Sequence, residues 1–222
     1  PASYRPGRAM PVVMALHGGG GDMTIMATDA YYGLISKSEA AGFVAVFPNG
    51  SSRLPLGKLA TWNAGLCCGS ARDRGIDDVG FLKTVVRHLG ARYSIDRRRV
   101  FAVGMSNGGM MAYRLACEAA EVFSGIMAVA GTDNTAACPQ GPAVPVLHVH
   151  ALDDDHVLFE GGMGPGVIDP DAVNDFTSVP DTIARWVRRD RAFGATRRVV
   201  DVEGATCDRR PARPGGAPVQ LC

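Results

Sequence analysis

A chain of 222 residues, 46% of them hydrophobic, can bury a sizeable core and reads as one domain. Charged residues make up 20% and the formal net charge is +1, so no basic field points to nucleic acid or to an acidic surface. No apolar run reaches the 18 residues of a helical membrane span, which leaves no membrane partner to expect. The chain opens on Pro1 without a methionine and without a signal peptide. It is therefore expected to be trimmed, and the missing signal is no mark of the cytoplasm. Six cysteines suit an oxidising compartment, and secretion is the expectation.

The first predicted element is a buried strand over Pro11-Val12-Val13-Met14-Ala15-Leu16, which runs into His17-Gly18-Gly19-Gly20-Gly21. A glycine run past a strand end leaves bare backbone N–H groups free to face a ligand. A helix is expected from Ala30 to Ala41, with Leu34 and Ile35 inward and Gly42 as its stop. Phe43-Val44-Ala45-Val46-Phe47 is a second buried strand, ended by Pro48-Asn49-Gly50. From Ser51 to Ile76 no periodicity appears, and a loop this long in a compact domain is usually functional or disordered. It holds Trp62, Asn63 and the pair Cys67-Cys68, so it is read as ordered and lining the site. Trp62 is the candidate to meet a ring or sugar, with plain core packing as the alternative.

Asp77 is placed to cap a helix whose Val79, Leu82, Val85, Val86 and Leu89 form one apolar face, ending near Tyr93. A short buried strand follows, Arg99-Val100-Phe101-Ala102-Val103. It leads into Gly104-Met105-Ser106-Asn107-Gly108, after which Met110, Met111, Ala112, Leu115 and Ala116 recur at helical spacing. Strand, Gly-x-Ser-x-Gly, helix is the context of a nucleophile elbow, and Ser106 is the candidate nucleophile. The pattern alone is weak in a chain with 28 glycines; the flanking strand and helix give it weight. In hydrolases of that architecture two backbone N–H groups stabilise the oxyanion. Gly19 and Asn107 are the candidates for them.

Two more strands are expected, Ser124–Val129 and Val144–His150, followed by Asp153-Asp154-Asp155-His156 where a triad acid belongs. Gly161 to Gly166 reads as mobile, Asp181 to Arg191 as a helix burying Ile183, Ala184, Trp186 and Val187. Val199–Val202 and Val219–Cys222 are the last strands. The order of elements implies a mostly parallel, doubly wound α/β sheet with helices on both faces.

The five histidines are His17, His88, His148, His150 and His156. His148 and His150 alternate on one strand face and read as hydrogen-bonded core or rim residues; with no third ligand in view, no metal is expected. His17 is expected to hold the oxyanion loop, and His88 to be solvated. Strand and helix directions put Cys117 and Cys138 near the bottom of the sheet and Cys67 and Cys68 near the top. The pairs expected are Cys117–Cys138, Cys207–Cys222 and, by elimination, the vicinal Cys67–Cys68.

Leu16-His17-Gly18-Gly19-Gly20, Trp62-Asn63-Ala64-Gly65 with Cys67-Cys68-Gly69, Asp77-Asp78-Val79-Gly80-Phe81, Gly104 to Met110, and His148 to Gly162 resemble a known family. It is the secreted esterase family of polyhydroxybutyrate depolymerases and feruloyl and acetylxylan esterases (the LpqC-like branch). The resemblance covers nearly the whole chain and implies an α/β-hydrolase fold. It also implies a cofactor-free serine esterase acting through an acyl-enzyme on feruloyl or related plant-polysaccharide esters, or on a polyester. His150-Ala151-Leu152-Asp153-Asp154 falls on the family's His-Gly-Thr-x-Asp, which makes Asp154 the triad acid; Ala151 and Leu152 depart from it. The family's histidine string after the final strand has no counterpart here. The chain is therefore expected to be a single domain truncated at both ends, with its catalytic histidine just past Cys222 and His156 the one conceivable substitute. The competing expectation is a ligand-binding relative without turnover.

Overall fold

The computed structural model describes residues 1–167, 169–173 and 175–222. Its strands are β1 (Met10–Leu16), β2 (Val44–Val46), β3 (Ile95–Met105), β4 (Gly125–Val129), β5 (Val146–Val149), β6 (Arg197–Val202), β7 (Ala205–Arg210) and β8 (Val219–Leu221). Its helices are α1 (Met23–Met26), α2 (Asp29–Tyr32), α3 (Leu34–Ala41), α4 (Gly69–Asp73), α5 (Asp78–Arg92), α6 (Asn107–Glu118) and α7 (Val179–Arg189). The strands form one sheet in the order β2-β1-β3-β4-β5-β8-β7-β6. The first six in that order run parallel; β7 and β6 are added antiparallel.

Alternation along the strands decides which face is core. Val12, Met14, Val100, Ala102, Ile126, Ala128, Val146 and Val219 are buried on one side, under α5, α6 and α7. Trp186 fixes α7 there: its ring is fully buried, lies 5.3 Å from Tyr113, and donates its indole N–H to Asp133 at 2.9 Å. On the opposite side Val13, Phe101, Val103, Met127 and Leu147, with Leu34 of α3, line an open trough of about 460 Å³. The doubly wound arrangement holds, with its second face thinly covered.

Several boundaries differ from the sequence reading. The helix over 30–41 is split at Gly33, whose φ of +61° ends α2 and starts α3, and Ile35 is 44% exposed rather than inward. The 51–76 loop carries a 3-10 turn at Pro55–Gly57 and helix α4. β7 was not foreseen. It pairs with β6 through a two-residue turn at Glu203-Gly204, and its Ala-Thr-Cys-Asp-Arg-Arg shows no apolar alternation because most of both strands faces water. The glycine-rich stretch 161–166 is held by backbone bonds from Gly161, Gly162, Gly164 and Gly166 to Leu158, Phe176, His156 and Asp155.

All three cysteine pairs form as expected: Cys67–Cys68, Cys117–Cys138 and Cys207–Cys222. Cys117–Cys138 ties the end of α6 to the segment entering β5 and closes a loop with a sequence separation of 21. Replacing both cysteines with alanine is expected to lower unfolding free energy by roughly 3 kcal/mol, read from urea unfolding, the entropy that loop restricts in the unfolded chain.

Candidate active site

Ser106 stands at the turn from β3 into α6 with φ 53° and ψ −122°, a left-handed backbone that side-chain-bearing residues rarely adopt. Three glycines make the turn possible. A Cβ on Gly104 would overlap the backbone of Gly108, one on Gly108 the carbonyls of Leu16 and His17, and one on Gly131 the carbonyl of Ser106 itself. The strained residue is pinned on both sides. Its N–H donates to Val129 at 2.7 Å, and its carbonyl accepts from Met110 at 3.0 Å. The hydroxyl caps nothing and is left for chemistry, at the N-terminus of a 12-residue helix.

The glycine loop after β1 lies directly against this turn. A Cβ on Gly18 would stand 3.5 Å from Ser106 Cβ, and one on Gly19 would stand 3.5 Å from Asn107 Cβ. Among the described residues, the backbone N–H groups of Gly19 and Asn107 donate to no protein acceptor. His17 holds the loop as expected. It is 1% exposed, its Nε2 accepts from Gly50 N–H at 2.9 Å, and its Nδ1 therefore carries the proton donated to Gly18 O at 2.8 Å. Burial lowers its pKa below the usual imidazole value, which keeps the ring neutral.

Trp62 needs correction. It is fully buried, with its indole N–H donated to His17 O at 2.9 Å and its ring 5.0 Å from the His17 ring, so no ligand can stack on it. Its role is to join loop to helix. Asn107 Oδ1 accepts from Trp62 N–H at 2.7 Å and Asn107 Nδ2 donates to Trp62 O at 3.0 Å. The next residue extends the splice: Asn63 N–H donates to buried Asp78 at 2.7 Å and Arg114 donates to Asn63 O at 2.7 Å. Sequence reasoning missed this two-way clamp, although the Trp-Asn string and the Asn after the nucleophile were both visible.

Asp154 lies in the loop after β5. Its Oδ1 accepts from the N–H groups of His156 and Val157, both at 2.9 Å, and its Oδ2 lies 3.5 Å from His150 Nε2. His148 and His150 are buried and hydrogen-bonded, as expected. His156 is exposed and turns its Nδ1 to Asp155 at 2.6 Å, not to Asp154. None of the five histidines hydrogen-bonds Ser106. Ligand atoms of Asp154, Asp155 and His156 fall within 4.8 Å of one another. The Asp155–His156 pair and the N–H groups on Asp154 account for that closeness.

A parallel sheet, a strained elbow serine and a glycine loop packed beside it define a chain of the α/β-hydrolase type. The fold is similar to that of native sOPH, with a TM-score of 0.58 at 18% identity over 84% of this chain and 69% of that one. A family model described as "Putative esterase" matches residues 1–190, and the chain belongs to that esterase family. Feruloyl esterase B of Piromyces equi is 24% identical over 232 residues, covering 100% of this chain and 40% of that protein. The bifunctional acetylxylan esterase/xylanase XynS20E of Neocallimastix patriciarum is 26% identical over 150 residues, 68% of this chain and 20% of that protein. The chain thus spans less than half the length of these two relatives.

Two stability measurements check this geometry. Asn107→Ala is expected to cost about 1–3 kcal/mol, because Trp62 N–H is left buried without a partner and Trp62 O keeps only the bond from Cys68 N–H at 3.2 Å. For His148, burial brings the pKa from 6.5 to about 3. The unfolded chain therefore binds the extra proton first, and stability falls as pH drops from 6.5 towards 3. Asp190, buried at the end of α7 and pushed up to about 6, acts with the opposite sign. The urea midpoint of His148→Gln is expected to fall less steeply than wild type across pH 6.5 to 4, which isolates the histidine.

Proposed function

We propose that the chain is the catalytic unit of a serine carboxylic-ester hydrolase, in which Ser106 attacks the ester carbonyl and passes through an acyl-enzyme. The observation that carries this is the strained Ser106, with its hydroxyl uncommitted, beside two free N–H groups. The N–H groups of Gly19 and Asn107 receive the tetrahedral oxyanion at no reorganisation cost, because His17, Trp62 and Asn107 already fix the loop. Asp154 is the acid that orients the proton acceptor. That acceptor is a histidine contributed by polypeptide following β8, a reading supported by the partners that hold His17, His148 and His150, the pairing of His156 with Asp155, and the exposed position of His88 on α5. No cofactor enters the reaction.

Ester class follows the family and the relatives' names: feruloyl or acetyl esters of plant polysaccharide, with hydroxybutyrate polyester as the alternative. The three disulfides support work outside the cell. No helix among the described residues is long and apolar enough to cross a membrane. A ligand-binding relative without turnover is the second reading, and the absence of a histidine on Ser106 favours it.

The experiment compares hydrolysis of p-nitrophenyl butyrate by the 222-residue chain and by the polypeptide continued past Cys222, each with Ser106→Ala and His156→Ala. The longer protein is expected to be faster by several orders of magnitude, to lose that gain in Ser106→Ala, and to ignore His156→Ala. A fluorophosphonate that labels Ser106 of the longer protein stoichiometrically supports the esterase, and no labelling supports the binder. Full activity of the short chain that His156→Ala destroys would make His156 the base. Parallel assays on feruloyl, acetyl and hydroxybutyrate esters then assign the substrate.

A further inference from the structure

Tyr113, His148 and His150 are polar side chains sealed inside the domain that the proposed chemistry does not use. Tyr113 lies on α6, two helical turns past Ser106 on the same side of the helix. Its hydroxyl is 2.8 Å from His148 Nδ1, His148 Nε2 is 3.1 Å from His150 Nδ1, and His150 Nε2 is 2.7 Å from Val157 O. The same Nε2 lies 3.5 Å from Asp154 Oδ2. Tyr113 and His148 are fully buried, as is the His150 side chain, and the two imidazole planes are nearly parallel, 5° apart, with centroids 5.3 Å apart.

The far end of this row settles every proton in it. A carbonyl only accepts, so His150 Nε2 carries hydrogen and its Nδ1 accepts. His148 Nε2 must then donate, which leaves its Nδ1 to accept the Tyr113 hydroxyl. Each donor meets one acceptor, in one direction, from α6 to the acid loop. Burial keeps His148 and Tyr113 uncharged, the imidazole held down to about 3 and the phenol well above its usual value. The row ends on Val157, whose N–H is itself one of the two donors to Asp154 Oδ1. One residue is therefore gripped from both sides.

We propose that Tyr113, His148 and His150 are positioning residues, a single-file hydrogen-bond chain that locks the Asp154 loop in register with the nucleophile helix. The proposal rests on Ser106 and Asp154 acting as nucleophile and acid. An apolar interface would hold β5 against α6 as firmly, and apolar groups of similar volume usually stabilise at least as well as buried polar ones. What apolar packing lacks is direction. Removing the Tyr113 hydroxyl leaves His148 Nδ1 without a donor. Reversing both tautomers is no remedy, since it sets a His148 Nδ1–H against the phenyl ring and turns the His150 Nε2 lone pair onto Val157 O and Asp154 Oδ2. The His148 ring must shift instead, and His150 carries that shift to Val157. The disturbance is thus delivered at the acid.

The test uses the full polypeptide with Tyr113→Phe, His150→Leu, His150→Gln and Asp154→Asn. It measures kcat and KM on p-nitrophenyl butyrate, the unfolding midpoint, and imidazole ¹⁵N shifts. Both imidazoles are expected to be Nε2–H tautomers. Tyr113→Phe is expected to lower kcat about tenfold and His150→Leu about a hundredfold with KM within about twofold, the scale of a small misplacement of a catalytic group. His150→Gln restores kcat to within about fivefold, because its carboxamide accepts from His148 and donates to Val157. An Nδ1–H tautomer at either histidine overturns the chain. Equal activity of the Leu and Gln variants, or kcat losses that only follow lost folded protein, overturns the positioning role. Unchanged activity in Asp154→Asn overturns the acid assignment along with it. A loss there, with Tyr113→Phe and His150→Leu unaffected, overturns the positioning role alone.

Discussion

The site depends on one backbone conformation, the left-handed turn at Ser106. An L residue does not rest there unaided; the cost is of order 1–3 kcal/mol, and surrounding contacts must over-determine it. Here they are close backbone approaches. Gly104 on β3, Gly108 on α6 and Gly131 after β4 each lack a Cβ where another main chain passes. Hydrogen bonds from Ser106 to Val129 and Met110 fasten both sides of its peptide. The sheet therefore supplies more than a core. Parallel register between β3 and β4 brings Val129 beside Met105, where its carbonyl receives Ser106 N–H.

Around that turn, rigidity is built from buried polar contacts. Asn107 spends its side chain on the Trp62 main chain, Trp62 its indole on His17 O, and His17 its two nitrogens on Gly18 O and Gly50 N–H. The sequence Asn107, Trp62, His17, Gly50 is closed, with neutral groups matched donor to acceptor. Such networks are costly when half satisfied and directional when complete. Apolar packing alone would leave a glycine run free to sample many conformations. The network holds that run against Ser106 and Asn107 instead.

How legible this was depends on what carried the signal. Strands with continuous apolar runs, such as β1 and β4, stood out, as did the face of α5 and its Asp77 cap, which accepts from Gly80 N–H at 2.8 Å. So did the elbow, because Gly-x-Ser-x-Gly between strand and helix has steric content. β7 was silent because an exposed strand has no hydrophobic period to read. Trp62 was ambiguous for a related reason. A tryptophan in a loop without periodicity fits a ring-binding role or core packing equally, and only the fold reveals that it is buried against His17. The hydrogen-bonded row from Tyr113 to Val157 joins α6, β5 and the loop that holds Asp154. No single-segment pattern could place them together.

The two faces of the sheet also follow different rules. On the face under α5, α6 and α7, Val12, Met14 and Leu16 are fully buried, and α6, which follows Ser106 and carries Asn107 and Tyr113, packs there. On the other, Phe101, Met127 and Leu147 line a trough, with α3 at its edge. Parallel sheets are normally covered on both faces, since their strands are apolar on both. The half-exposed side chains of β3, β4 and β5 are accordingly large and hydrophobic, not the polar residues of a solvated antiparallel sheet. The candidate site is built on the densely packed face. A strained serine and a glycine loop hold position only when the helix behind them cannot shift, and α6, with ten of its residues buried, is the most heavily buried helix of the fold.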